Sequence, residues 1–162
     1  MKKLLFVLIT ILLASPAFAD VTTADSTLKD EIKLKDTLIE AVENIDLVSL
    51  NVLLAEGAEI DTADTYGNTP LIIASKIGNP RMITIILAHN PDVNAKNNHG
   101  ETALLIAAEH GQADVAKRLI ERGADVYAKN EDGFTPADLA ARNGHTQILN
   151  ILRDTNETPL SR

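Results

Sequence analysis

Apolar residues along this chain recur at helical spacing in short bursts, each closed by a polar or glycine-containing break. Leu71, Ile73 and Ala74 form one burst, and Leu104, Ile106 and Ala107 repeat it further on. Ile83, Ile86 and Leu87 make a second kind of stripe, matched later by Val115, Leu119 and Ile120. Residues at i, i+3 and i+4 share one side of a helix, so each burst predicts a short helix with one buried face. The breaks predict where those helices begin and end. Thr69 and Thr135 are placed to N-cap a helix, and Pro70 and Pro136 follow at the position where no amide donor is needed. Asn79 and Pro80 repeat the device for a second helix. Gly78, Gly111 and Gly144 suit a left-handed turn between antiparallel helices, while Gly57, Gly123 and Asn90 suit the residue after a second helix.

The whole pattern returns every 33 residues: Gly67, Gly100 and Gly133 keep the step, as do Thr69, Thr102 and Thr135, and Ala41, Ala74, Ala107 and Ala140. Two copies are complete, GNTPLIIASKIGNPRMITIILAHNPDVNAKNNH (67–99) and GETALLIAAEHGQADVAKRLIERGADVYAKNED (100–132). This resembles the ankyrin repeat over Leu34–Arg153. The resemblance implies an all-α solenoid of about four stacked helix-turn-helix units with hairpin loops, at 34–66, 67–99, 100–132 and 133–153. Unit one has Ile45 where the inter-helix Gly belongs. Unit four ends with a helix expected over Gln147–Arg153, and Asp138 and Asn150 make it polar, as suits a terminal repeat with nothing stacked on it. The TPLH-type histidine position holds Ile72, Leu105 and Asp138 instead. Residues 20–36 read as a polar leader, 37–153 as the repeat domain and 154–162 as a C-terminal tail.

Met1–Ala19 differs in kind. Lys2 and Lys3 precede an apolar stretch from Leu4 to Ala14, and Ala17-Phe18-Ala19 gives a small-residue cleavage pattern. This predicts a bacterial-type secretory signal peptide cut between Ala19 and Asp20, with a periplasmic or secreted product. The stretch is shorter than the roughly 20 residues a membrane helix needs. Loss of two Lys leaves 13 basic residues against 23 acidic ones, so the formal charge moves from −8 to −10. That excess of acid argues against nucleic acid as a partner. With no Cys there is no disulfide, thiol catalysis or Cys-ligated metal.

Catalytic chemistry finds little to build on. No Ser lies in a G-x-S-x-G elbow, and Ser75 follows core Ala74, where it substitutes for Ala. His89 and His110 fall near helix ends, and His99 at a loop tip. His145 occupies the position where the family often has a His bonded to neighbouring backbone. None has metal-ligand spacing, and no phosphate-binding glycine loop occurs. The acidic loop residues Asp61, Asp64, Glu131 and Asp132 lack the order of a calcium loop. The sequence therefore predicts no enzyme activity, no cofactor and no metal.

What the resemblance implies is protein binding through a concave face of hairpin tips and first helices. Carrying the family's variable positions onto this chain gives Tyr66, His99 and Asp132 at the tips, Asn68, Glu101 and Phe134 after the hairpin Gly, and Lys76, Ile77, Glu109, His110 and Arg142 on the helices. Tyr66, Ile77 and Phe134 are large apolar groups in nominally solvent-facing positions, which suits interface anchors. The expected partner is another protein, exported or envelope-associated, and the expected state is a monomer with no membrane span after cleavage. The alternatives are a metal-binding or enzymatic accessory protein on the same scaffold, and a secreted effector.

Overall fold

The computed structural model describes residues 38–157; the leader and its cleavage site lie outside them. Eight helical segments occur among the described residues, with no strand: residues 38–43 (α1), Leu47–Ala55 (α2), Pro70–Ile77 (α3), Pro80–Ala88 (α4), Ala103–Glu109 (α5), Ala113–Glu121 (α6), Pro136–Arg142 (α7) and Thr146–Glu157 (α8). They pair as α1–α2, α3–α4, α5–α6 and α7–α8, and long loops join each pair to the next. First helices stack in the order α3, α5, α7, and second helices in the order α4, α6, α8.

The helix boundaries follow from short polar side chains. Thr69, Thr102 and Thr135 accept amide hydrogen bonds from Ile72, Leu105 and Asp138 at the starts of α3, α5 and α7. Asn79 does the same for α4 through the amides of Arg81 and Met82. Between the helices of a pair, Gly111 adopts φ 72°. A Cβ there would also lie 2.7 Å from the His145 ring, so both conformation and space exclude a side chain.

Leu71, Ala74, Ile83, Ile86, Leu104, Ala107, Val115 and Leu119 are all buried, in the stripes their spacing predicts. Each fully buried Leu or Ile contributes about 1.5–3 kcal/mol of transfer free energy. The Ala positions at 74, 107 and 140 show no exposure, which lets stacked first helices approach closely. Ile72 and Leu105 are buried too, so apolar packing takes the place of the family's His. Ser75 is fully buried and its hydroxyl donates to the Leu71 carbonyl at 2.7 Å. It behaves as an Ala with a satisfied hydroxyl.

The last helix corrects an expectation. It begins at Thr146 and reaches Glu157, taking in residues assigned to a tail. Ile148 and Leu152 continue a buried i, i+4 stripe, and the Thr155 hydroxyl donates to the Leu152 carbonyl, so nothing stops the helix at Arg153. No helix among the described residues is long and apolar enough to cross a membrane.

Candidate protein-binding groove

Each loop between units is closed by one amide or carboxylate side chain. Asp64 Oδ1 accepts the amides of Tyr66 and Asn68, both at 2.8 Å. One period later Asn97 Oδ1 accepts the amides of His99 and Glu101, both at 2.9 Å. Asn130 Oδ1 accepts the amide of Phe134 at 2.9 Å. The loops are then tied to one another. The Asn98 amide donates to the Tyr66 carbonyl and the Glu131 amide to the His99 carbonyl, each at 3.0 Å. Asn97 Nδ2 spans two loops by donating to Asn68 Oδ1 at 2.9 Å and to Glu101 Oε2 at 2.8 Å. These bonds consume loop polarity and leave the side chains at the tips free to face a ligand.

The first helices are fixed at their far ends. His145 Nε2 donates to the Glu109 carbonyl at 3.0 Å, which is the backbone-bonding role the resemblance implied for it. Gln112, one period earlier, donates to the Lys76 carbonyl at 3.4 Å. His110 Nδ1 lies 3.0 Å from the Ile106 carbonyl, a contact that needs the proton on Nδ1.

Loops and first helices together enclose a groove of about 410 Å3. Its lining includes Tyr66 at the end of the first unit, Asn68, Lys76 and His99 from the second, and Glu101, Glu109 and His110 from the third. Seven of the sequence-derived binding positions are thus brought into one cavity. Glu43 and Asp64 complete the acidic walls, Asn97 joins the loop side, and Ile72, Ile73 and Ile106 supply an apolar floor. Tyr66 is 66% exposed at the rim.

The remaining four positions lie elsewhere. Ile77 is half-buried and packs against the main core, because the interior of the stack reaches further round α3 than its position suggests. Phe134 is half-buried against Leu105, Ala128 and Leu139, with the Arg142 guanidinium 4.7 Å from its ring centroid. This stack gives Phe134 and Arg142 a mutual structural role in the last unit rather than an open anchor. Asp132 is exposed on the third loop, outside the groove.

Sequence reasoning missed Glu43, the bonding role of Asp64 and Asn97, and the isoleucine floor. The 33-residue step held the signal. Asp64, Asn97 and Asn130 fall at one repeat position, and Glu43, Lys76, Glu109 and Arg142 at another. Among the described residues no three His, Asp or Glu are grouped to hold a metal ion.

No curated protein matches this sequence. Residues 38–130 match the family model for ankyrin repeats in three copies, a family whose repeats mediate protein binding. With four helix pairs in 33-residue register and a family match over more than half its length, the chain belongs to the ankyrin-repeat family.

Proposed function

We propose that this protein is a non-enzymatic binding module, exported to the periplasm or beyond, that holds a partner protein in the groove between its loops and first helices. Binding there stabilises or regulates the partner. One observation carries the reading: side chains from variable repeat positions converge on a cavity whose backbone is already locked by Asp64, Asn97 and the inter-loop bonds. A preformed site loses little conformational freedom on association, so contact energy appears as affinity. The export half of the reading rests on Met1–Ala19 alone, and the partner is then an exported or envelope protein met by a monomer.

Affinity capture from an envelope fraction tests this. The wild-type chain retains a partner, and Tyr66→Ala loses it at unchanged helix content. Arg81→Ala, on the exposed face of α4, retains it. Equal yields from wild type and Tyr66→Ala would remove the groove from the account.

A further inference from the structure

The groove's own chemistry says what kind of segment it takes. Its floor is apolar, built from Ile72, Ile73 and Ile106, and Tyr66 stands exposed at its rim. Its ionisable walls carry the carboxylates of Glu43, Asp64, Glu101 and Glu109 against the single ammonium of Lys76. The carboxylates of Glu43 and Glu109 have no hydrogen-bond or ion-pair partner among the described residues. Three other cations among the described residues are engaged by groups of their own. Arg118 bonds Thr84 and Arg122 bonds the Leu87 carbonyl at 2.7 Å, both across the second helices, and Arg142 covers Phe134. The cavity thus has an apolar floor and walls on which carboxylates outnumber the single ammonium.

We propose that the groove binds an extended, positively charged segment of its partner, with one apolar side chain on the isoleucine floor and flanking Lys or Arg side chains against Glu43 and Glu109. This rests on the protein-binding reading above. An extended backbone places alternate side chains on opposite sides, so a central apolar residue faces the floor and cations two residues away reach the walls by their long stems. Lys76 opposes such a ligand. Its charge tunes affinity down, so its removal has the opposite sign from removal of a wall carboxylate.

The test uses the mature chain and two blocked peptides, one with Lys alternating with Gly around a central Leu and one with Glu in place of Lys. Binding is followed by calorimetry at low and high salt. The Lys peptide binds with affinity that falls as salt rises, and the Glu peptide does not bind. Glu43→Gln and Glu109→Gln each weaken the Lys peptide roughly two- to fivefold, as partly exposed charge pairs do, and Lys76→Gln strengthens it by a similar factor. Arg81→Gln leaves it unchanged. The opposite signs separate charge recognition from damage to the fold. Failure of the Lys peptide to bind, equal binding of both peptides, or weakening by Lys76→Gln would overturn the proposal. If Tyr66-dependent capture of an envelope partner persists in that case, the binding module stands and only its assigned ligand falls; if capture is also lost, both fall.

Discussion

At the scale of the residue, Ile45 shows how a repeat can keep its geometry after losing its signature. Gly78, Gly111 and Gly144 turn between paired helices with φ of 77°, 72° and 75°. Ile45 occupies the same place and adopts φ 58°. For a β-branched residue this conformation costs about 1–2 kcal/mol, so the surrounding helices must impose it. Its side chain is 46% exposed, so a replacement gives up little packing. Ile45→Asn relieves most of the strain without the backbone entropy that Gly would add, and is expected to stabilise the fold by about 1 kcal/mol. Thermal unfolding reads this as a midpoint a few degrees higher; an unchanged or lower midpoint would show that Ile45 is unstrained. Tyr127 tells the reverse story. Asp61 and Asn94, at the same repeat position, accept the amides of Asp92 and Asp125 from the following unit. Tyr127 holds that position in the third unit with its side chain 66% exposed.

At the scale of the element, two helices start on carboxylates that act as charged caps. Asp46 accepts the Ser49 hydroxyl at 2.6 Å and the amides of Val48 and Ser49 at the start of α2. Asp138 accepts the Thr135 hydroxyl and amide, while its own amide donates to Thr135 Oγ1, completing a reciprocal cap on α7. Bonding to the Ser49 hydroxyl holds Asp46 below the usual carboxylate pKa, and bonding to the Thr135 hydroxyl does the same for Asp138. A lowered folded-state pKa means the ionised cap favours the fold. Its contribution is complete above the unfolded value of about 3.9 and is lost as pH falls through the lower folded value. Amide exchange at the starts of α2 and α7 is therefore expected to accelerate across that acidic window. The start of α3, capped by the neutral Thr69, serves as the reference. Asp138→Asn is expected to abolish the response at α7; uniform behaviour of all three helix starts would refute the assignment. These caps also mark what the sequence could tell. Thr69, Asn79 and Thr135 were legible because a first-turn Pro or a 33-residue echo pointed to each. Asp46 sits one 33-residue step before Asn79 but has Leu47 where Asn79 has its Pro, so only the echo points to it, and Asp138 reads only as polar. The groove was legible as positions and illegible as a cavity. Position alone does not reveal that Ile77 turns inward or that Phe134 finds Arg142, because both depend on packing between units.

At the scale of the whole array, stability is approximately the sum of each unit's own stability and the interfaces it shares. Units two and three have neighbours on both sides and contain most of the fully buried large side chains, from Leu71 to Leu119. The two ends differ. The last unit closes with exposed polar residues, Asp138 and Asn150 among them, and its own buried pair Ile148 and Leu152. The first unit exposes Val48 at 75% and Val52 at 50%, and carries the strained Ile45. With one described neighbour and an internal penalty, it is the unit expected to open first. Hydrogen exchange is expected to show the fastest protected amides in α2, intermediate ones in α8 and the slowest in α3 to α6. Ile45→Asn should slow α2 without changing α5. Exchange at one common rate would instead mean the array unfolds only as a whole. This gradient bears on binding, because the groove draws every lining residue except Glu43, Asp64 and Tyr66 from units two and three. Local opening of the first unit would then remove part of the negative wall and the Tyr66 rim and leave the isoleucine floor and Glu109 in place. A ligand that bridges Glu43 and Glu109 should in turn slow exchange in α1 and α2, and a ligand seated only on the central units should not.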